Sequence, residues 1–470
     1  MKNFLRAMQG TAAFIDHWQW LILLAALPFF LFPNPSSSPI LALVPLLWLI
    51  ALAGRRNPLP ATPLNGEMLL VSIMMLVSLF ATYDVSVSLP KISGVLIGIA
   101  VFYLMVRIGS RSGGWWMCFL AFLLVGSGMT VVSLVGTNWV TDKFAIIAKI
   151  ISVLPKLRQS LPGAPDGFHP NEVGGALVWV MPAAIIFGLV WMLRFRTLKK
   201  RIGAGWIFLI LCAALGISAI MGVVLVFSQS RSAFIGLGLA LMAALFFALP
   251  LPGRWAYGIV MVMGISFVIV LFWPINASKL SGLLGSSEVQ ASAFSLSTLD
   301  LRFEIWSRAI YGIQDFPLTG MGMNTFRTVV NVLYPLFSVG PNYDIGHAHN
   351  EFLQAALDLG IPGLIAFIGI YIGAFWMLID SWRRSGKPGE NMRTVDQPAV
   401  ILTNTLILGL GSGLAAHLIY GLTDAVALGA KPGLLYWMLL GLIVGLFYHV
   451  RRNGFVRWPF SNRRATASKS

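Results

Sequence analysis

Twelve long apolar runs constrain this chain more than any other feature. A helix needs about 20 mostly apolar residues to cross the hydrocarbon core of a membrane. Of the 470 residues, 57% are hydrophobic and only 11% are charged, whereas soluble domains carry about 25% charged residues. The sequence therefore predicts an all-α polytopic membrane protein with about 12 transmembrane helices. The runs lie at roughly 17–33, 39–53, 67–82, 90–108, 115–136, 172–193, 206–227, 232–249, 255–273, 358–380, 400–423 and 432–449.

Basic residues are distributed unevenly between the connecting segments. If the N-terminus is inside, the inside segments hold 22 of the 33 Lys and Arg residues, although the outside segments are much longer. Lys and Arg accumulate on the cytoplasmic side of membrane proteins, so we expect both termini to be cytoplasmic. The same bias explains the net charge of +16 without any binding of nucleic acid.

The segments between the runs predict the domain organisation. We expect nine transmembrane helices within 1–273, with an interfacial helix near 142–158, because basic and apolar residues mix there. A large outside loop domain should span 274–357, followed by three more transmembrane helices in 358–450. A basic cytoplasmic tail should complete the chain at 451–470.

One helix can be predicted inside the large loop. Ser297 and Asp300 form a capping-box pattern, and the helix should end before Pro317. On a helical wheel Arg302 falls at the edge of the apolar face, whereas Arg308 falls on the opposite face. The apolar positions at helical spacing are Leu299, Phe303, Trp306, Ile310 and Ile313.

Arg231 is the clearest charged residue at membrane depth. It lies in FSQSRSAF, at the outer junction of two apolar runs, where serine and glutamine side chains add hydrogen-bonding groups. Ionisable residues at such depth are usually functional, although an arginine can also anchor a helix by reaching to water. Arg231 is therefore a candidate site residue, with an interfacial anchor as the alternative.

Two histidines precede the tenth apolar run, in the segment GHAHNEFLQ. A neutral imidazole suits a general base because its ordinary pKa lies near the working pH. His347, His349 and Asn350 are therefore candidate site residues. A metal site is disfavoured, because the two histidines do not share one helix face and the sequence offers no obvious third ligand. A capping or packing role is the alternative for the histidines.

Arg302 offers a planar set of donors that matches phosphate oxygens. With Arg231 and a histidine on the same outer face, it favours an anionic substrate, such as a pyrophosphate, whose leaving group must be stabilised. His169 and Asn171, in FHPNEVGG at the outer end of the sixth run, are weaker candidates for a substrate contact. A helix-start turn built by Pro170 and Asn171 explains that segment equally well.

The sequence lacks the motifs that are typical of several function classes. There is no Walker A sequence for ATP-driven transport and no Asp-x-Asp on an outside loop to hold a divalent ion. No pair of interrupted helices recurs in the two halves, as it does in many secondary transporters.

Three segments, taken together, resemble the bacterial O-antigen ligase and polymerase superfamily. They are FSQSRSAFIGL, RFEIWSRAIYGIQDFPLTGMGMNTF and HAHNEFLQAALDLGIPG, in this order, over about 225–370. The resemblance implies a GT-C-like glycosyltransferase in the bacterial inner membrane, with a large helical periplasmic loop and an active site that faces the periplasm. Such enzymes move a glycan from undecaprenyl diphosphate to an acceptor, and they need no nucleotide, metal or other cofactor.

The resemblance also implies residue roles. Arg231 and Arg302 would neutralise the diphosphate as it leaves, and His349 would position or deprotonate the acceptor hydroxyl. His347 is not fixed by the motif and remains a second candidate.

The possible functions differ in the acceptor that receives the glycan. An O-antigen ligase transfers the finished polysaccharide to the lipid A–core, and we favour it because the motif set is full and the chain has no extra domain. An O-antigen or exopolysaccharide polymerase is the next alternative, then a protein O-glycan ligase, then a flippase of lipid-linked glycans. A flippase should carry polar residues along its whole interior, whereas the strong charges here gather at the outer face.

Overall fold

Helices make up almost all of the chain that is described. The computed structural model describes residues 2–31, 35–54, 57–111, 113–139, 149–151, 153, 167–249, 251–272, 296–340, 344–386 and 397–456. The α-helices are α1 (Lys2–Leu31), α2 (Leu43–Ala53), α3 (Asn65–Ala81), α4 (Val85–Gly109), α5 (Gly114–Gly136), α6 (Pro170–Leu193), α7 (Phe195–Ile202), α8 (Ala204–Ser228), α9 (Arg231–Ala248), α10 (Leu251–Phe272), α11 (Leu296–Asp315), α12 (Phe326–Leu333), α13 (Glu351–Arg384), α14 (Gln397–Gly421) and α15 (Leu434–Asn453). Two 3-10 helices occupy Pro35–Ala42 and Lys431–Gly433.

Eight helices in the described part of the chain are long and apolar enough to cross a membrane. They are α4, α5, α6, α8, α9, α13, α14 and the stretch Lys431–Asn453, which contains α15. Three shorter apolar helical stretches lie at Trp18–Phe30, Ser38–Ala53 and Asn65–Ala81. A polytopic helical membrane protein is thus confirmed, while the count of twelve spans and the GT-C fold stay predictions.

Small residues let the central helices approach closely. The helix α14 packs between α6 and α9, and α15 packs on α4. Gly413 on α14 lies against the carbonyl of Trp179 on α6. Gly236 on α9 lies against the carbonyl of Ala416 on α14. A side chain at either glycine would collide with backbone, so these contacts fix the helices that carry the site.

The loop helix α11 belongs to a separate small core. This core buries Ile305, Ala309, Phe326, Val330 and Leu357. The helix ends at Asp315, before Pro317 as predicted, but it begins at Leu296, one residue before the predicted cap.

The apolar stripe predicted for α11 is wrong in part. Phe303 is 60% exposed and Ile310 is 45% exposed, whereas Ile305 and Ala309 face the small core. Periodicity could not separate the two faces, because apolar residues lie on both.

A turn after α11 docks on a break in α13. Gly320 and Gly360 both have left-handed backbones, with φ of 69° and 70°, which glycine adopts without strain. The two approach so closely that a Cβ on Gly320 would lie 2.6 Å from the amide nitrogen of Gly360. Across this contact Ile361 N donates to Pro317 O at 2.7 Å. The FPLTGMG segment therefore holds the loop domain on the helix bundle.

The two residues that follow this segment bind the start of α4. Ser88 Oγ donates to Met323 O at 2.6 Å, and Asn324 Nδ2 donates to Val87 O at 3.1 Å. We call this side of the molecule the loop-domain end of the bundle. The predicted interfacial helix near 142–158, the start of the predicted loop domain at 274–295 and the tail from 457 lie largely or wholly outside the described residues.

Candidate active site

Asp424 lies at the centre of a polar cluster at the loop-domain end. Its side chain is 0% exposed, and its two oxygens face different partners. Oδ2 accepts a hydrogen bond from Asn171 Nδ2 at 2.8 Å and pairs with Arg302 Nη2 at 3.2 Å. Oδ1 faces His349 Nδ1 at 3.3 Å and His347 Nε2 at 3.6 Å. One carboxylate thus gathers four of the residues that the sequence singled out.

The start of α6 and the end of α14 bring Asn171 and Asp424 together. Pro170 occupies the first turn of α6, where its missing N–H costs nothing, and Asn171 follows it. Tyr420, near the end of α14, donates its hydroxyl to Asn171 O at 2.9 Å. The segment that carries Asp424 follows α14 directly. The FHPNEVGG segment is therefore both a helix start and a site contact.

Asn350 ties α13 to the segment after α14. Its Oδ1 accepts hydrogen bonds from the amides of Phe352 and Leu353, each at 3.0 Å, so it caps the helix. Its Nδ2 donates to Leu422 O at 2.9 Å. Because both polar atoms of the side chain are engaged within the protein, this geometry favours a positioning role over the substrate contact predicted for Asn350.

The backbone of His349 is held in an unusual conformation. Its φ is 47°, in the left-handed region that non-glycine residues seldom adopt. Trp306 Nε1 donates to His349 O at 3.2 Å, and the His349 amide donates to His347 Nδ1 at 3.1 Å. Such strain persists only where the surroundings enforce it. The loop helix thus supplies Arg302 and, one turn later, the tryptophan that fixes His349.

The electrostatics define the protonation of the cluster. Burial opposes ionisation of Asp424, but the hydrogen bond from His349 and the charges of His347, His349 and Arg302 outweigh it and lower the pKa of Asp424 to about 2. Burial, together with the nearby His349, lowers the pKa of His347 to about 3. At neutral pH the carboxylate is therefore ionised, and His347 is neutral.

The hydrogen bonds then assign the histidine tautomers. A neutral His349 that donates through Nδ1 to the ionised Asp424 has no proton on Nε2. His347 accepts at Nδ1 from the His349 amide, so it carries its proton on Nε2. The side chain of His349 is 20% exposed, against 9% for His347. His349 is therefore the better placed of the two to take a proton from a bound substrate.

A comparison with protein families identifies the region around this cluster. Residues 216–368 match the family model described as O-antigen ligase. This region is therefore similar to the O-antigen ligase family. The match covers about a third of the sequence and confirms the family resemblance of the three motifs. A comparison with curated proteins gave no significant match.

The matched region includes only part of the cluster. Arg231, Arg302, His347 and His349 lie within the matched residues, whereas Asp424 lies beyond them. Members of this family are membrane glycosyltransferases of ligase or polymerase type that act on lipid-linked glycans.

Arg231 and His169 lie near the cluster without a central place in it. Arg231 is the first residue of α9, and its side chain is exposed. The next residue, Ser232, shares a hydrogen bond of 2.7 Å with Thr423, the neighbour of Asp424. His169 is exposed, and its charge contributes to the low pKa of His347. Both predicted residues therefore lie close to the cluster.

The cluster contains a donor set that could hold a divalent metal. The ligand atoms of His347, His349 and Asp424 lie within 4.8 Å of one another, and two imidazoles with a carboxylate suit a transition metal. The sequence alone offered no third ligand, and Asp424 supplies one. Arg302 already pairs with the same carboxylate at 3.2 Å, so its positive charge opposes a cation there.

Asp424 is the site residue that the sequence analysis missed. It follows an apolar run within LIYGLTDAVALG, on the side predicted to be outside, and an acid at membrane depth is a functional candidate by default. That rule could have found the residue. It could not have paired Asp424 with His349, because 75 positions separate them.

Proposed function

We propose that this protein is an O-antigen ligase, which transfers a polysaccharide from undecaprenyl diphosphate to the lipid A–core oligosaccharide. The observation that carries the proposal is the Asp424–His349 pair with Arg302 beside it, at the loop-domain end of an O-antigen ligase domain. Such a pair supplies a base, and the arginine supplies a positive charge for a phosphate.

In the proposed mechanism His349 acts as the general base. Its Nε2 takes the proton of the acceptor hydroxyl while Nδ1 keeps its hydrogen bond to Asp424 at 3.3 Å. The buried carboxylate orients the ring and stabilises the positive charge that the imidazole gains, as in other histidine–carboxylate pairs. The acceptor oxygen forms the new bond to the anomeric carbon of the donor sugar.

The bond between that carbon and the diphosphate oxygen breaks in the same step. Its electron pair leaves with the lipid diphosphate, which gains negative charge. Arg302 stands within the cluster, with its side chain 16% exposed, and would neutralise this charge. Arg231 would assist from the start of α9. A guanidinium suits this role because it stays charged in any environment.

The protein would act in the bacterial inner membrane with its site facing the periplasm. The excess of basic residues on the opposite side supports this orientation and cytoplasmic termini. Reporter fusions after α9 and at the C-terminus would test it. Activity of a periplasm-specific reporter at the C-terminus would contradict the orientation.

Reconstitution of the purified protein tests the reaction. Protein in nanodiscs should join a glycan from undecaprenyl diphosphate to lipid A–core without added nucleotide, and a chelator should leave the rate unchanged. Loss of transfer on chelation, with recovery on adding one divalent metal, would show that the His347, His349 and Asp424 set holds a metal. No transfer to any acceptor would contradict the proposed function.

A polymerase of the same family is the second candidate, because the family match supports both activities. The lipopolysaccharide profile of a deletion strain separates them. Loss of a ligase leaves unsubstituted core and accumulates lipid-linked polymer, whereas loss of a polymerase leaves a single repeat unit on the core. A full polysaccharide ladder in the deletion strain would contradict both.

A further inference from the structure

A buried glutamine on α13 contacts the backbone between the two histidines of the cluster. Gln354 lies near the start of this helix. Its Oε1 accepts a hydrogen bond from the amide of Ala348 at 2.8 Å, and Ala348 stands between His347 and His349 in the chain. The proposed mechanism uses His349 but gives Gln354 no part.

The other end of the glutamine side chain binds a buried aspartate. Gln354 Nε2 donates to Asp358 Oδ1 at 2.9 Å, one turn further along α13. The same oxygen accepts a hydrogen bond from the amide of Asn324 at 3.0 Å. Asn324 lies two residues after the FPLTGMG segment, and its side chain donates to Val87 O on α4. Hydrogen bonds thus lead from the place where the loop domain meets the bundle to the histidine segment.

The residue types follow from what each end of this connection requires. Ala348 offers an N–H group and Asp358 offers an oxygen, so the side chain between them must accept at one end and donate at the other. A glutamine amide does both, and only one orientation of the amide satisfies both contacts. A glutamate at this position would turn a carboxylate towards Asp358. We call Gln354 and Asp358 the buried bridge.

The bridge ends at two strained parts of the backbone. Asn324 has a φ of 64°, and His349 has a φ of 47°. Such conformations cost free energy in residues other than glycine and persist only where the surroundings enforce them. One end of the bridge binds the amide of Asn324, and the other binds the amide of Ala348, just before His349. Trp306 holds the carbonyl of His349 from the loop domain, so the base is fixed from both sides.

Burial argues against a role for the bridge in packing alone. Gln354 and Asp358 are 4% and 1% exposed. Taking amide and carboxyl groups out of water costs free energy that their hydrogen bonds largely offset. Apolar side chains of similar size would fill the same space at a lower cost. A polar bridge adds direction, because it fixes the orientation of the Ala348 amide.

We infer that Gln354 and Asp358 are positioning residues, which hold His349 in place through the Ala348 amide. The inference rests on the proposed glycosyl transfer, in which His349 is the base. It adds the means by which the His349 ring is kept within 3.3 Å of Asp424. Both side chains of the bridge are buried and do not contact the substrate, so their replacement should change kcat rather than KM.

Transfer kinetics test the bridge. Gln354→Met keeps the approximate shape of the side chain and removes both hydrogen bonds. The kcat should fall about 10²-fold, the effect of misplacing a reacting group by about 1 Å, while the KM values for donor and acceptor stay near wild type. Asp358→Leu should act in the same way. Asp358→Asn keeps an oxygen for both hydrogen bonds and should recover most of the turnover. Equal losses in the two Asp358 variants would overturn the bridge, because the charge of the carboxylate would then matter instead.

Thr403→Val is the matched control. Thr403 Oγ1 also accepts a hydrogen bond from a buried backbone amide, that of Val456 at 2.9 Å. It lies near the start of α14, whereas the cluster lies beyond the end of that helix. The variant should lower the unfolding midpoint but leave kcat per folded molecule unchanged. A loss of kcat in Gln354→Met no larger than that in Thr403→Val would overturn the inference in favour of a structural role.

Nuclear magnetic resonance of isotope-labelled histidine tests the bridge apart from turnover. At mildly alkaline pH the neutral His349 ring should carry its proton on Nδ1, as its hydrogen bond to Asp424 requires. His349→Gln identifies this signal by its loss. Gln354→Met should replace the signal by a mixture of the two tautomers, and Asp358→Asn should keep it. If wild-type protein transfers no glycan but this change is seen, the proposed reaction fails and the positioning role stands. If the His349 signal is unchanged in Gln354→Met, the inference is wrong whether or not transfer occurs.

Discussion

Within the residues that the structure describes, two histidine–carboxylate pairs on α13 and α14, or directly beside them, differ in their access to the outside. In the first, His349 Nδ1 lies 3.3 Å from Asp424; in the second, His417 Nδ1 lies 3.1 Å from Glu351. The chemistry of the two pairs is the same. His349 is 20% exposed at its side chain, whereas His417 is 0% exposed and Glu351 is 5% exposed. We call them the open pair and the sealed pair.

The surroundings of the sealed pair explain why it is closed. The ring of His417 stacks on Trp179 at 3.9 Å between centroids, and Tyr371 Oη lies 3.2 Å from its Nδ1. The pair joins the first residue of α13 to the C-terminal part of α14, beside the open pair. A base must reach its substrate, so a histidine–carboxylate pair marks an active site only where it opens to the outside. The sealed pair instead supports the helices that carry the open one.

The largest expected loss of activity follows from removing the negative charge of Asp424 in the open pair. Asp424→Asn keeps the shape of the side chain but no longer stabilises a protonated His349. Turnover should fall by about 10⁴-fold, the effect of the same change in other catalytic triads, because the variant weakens both the base and Arg302, which pairs with the same carboxylate. The measurement is kcat for glycan transfer by purified protein, with the thermal unfolding midpoint as a check on folding.

Glu351→Gln makes the same change in the sealed pair and serves as the control. It should lower turnover by less than about tenfold per folded molecule, because no substrate reaches that pair. Equal losses in Asp424→Asn and Glu351→Gln, at equal stability, would remove the distinction between the pairs.

Replacing the base itself should have the next largest effect. His349→Gln removes the unprotonated Nε2, and general-base catalysis contributes about 10²–10⁴-fold, so we expect a loss of about 10³-fold in kcat. His347→Gln is the comparison, since its Nδ1 is already engaged by the His349 amide at 3.1 Å. A loss in His347→Gln as large as that in His349→Gln would mean that the two histidines share the base role.

Arg302, beside the open pair, should contribute less to turnover than His349. Arg302→Gln removes the charge that meets the leaving diphosphate, and losing one such group costs about 10²–10³-fold. Arg308→Gln, on the same helix, is the matched control. Arg308 donates to Pro335 O at 3.0 Å and lies over the ring of Phe337, so its loss should lower the unfolding midpoint more than kcat. The reverse ranking of the two variants would contradict the assignment of Arg302.

The sequence predicted local features of this site well. Apolar run length located the helices, since crossing a membrane sets that length. Charged residues in apolar surroundings pointed to Arg231 and His349, because burial makes such residues rare. Arg302 was separated from Arg308 by helical spacing alone, and only Arg302 contacts the cluster.

The features that were missed depend on contacts between distant segments. The sequence around Asp424 and His417 does not indicate which residue each one pairs with. Both pairs form because α13 packs against α14. The inward face of α11 was misassigned because it is decided by the packing of Ile305 and Ala309 in the small core of the loop domain. The cap that Asn350 forms is local, but its hydrogen bond to Leu422 O joins segments 72 positions apart and could not be read from the sequence.

The smallest expected effect on turnover belongs to the sealed pair. His417→Gln leaves Glu351 buried without its partner, and breaking a buried pair costs about 3–5 kcal/mol. We therefore expect a lower unfolding midpoint but a kcat per folded molecule within about threefold of wild type. Adding Glu351→Gln should recover much of the stability, because a neutral pair of similar size is tolerated where a lone charge is not. A large loss of kcat in His417→Gln at an unchanged midpoint would give the sealed pair a part in the reaction, and access would no longer separate the two pairs.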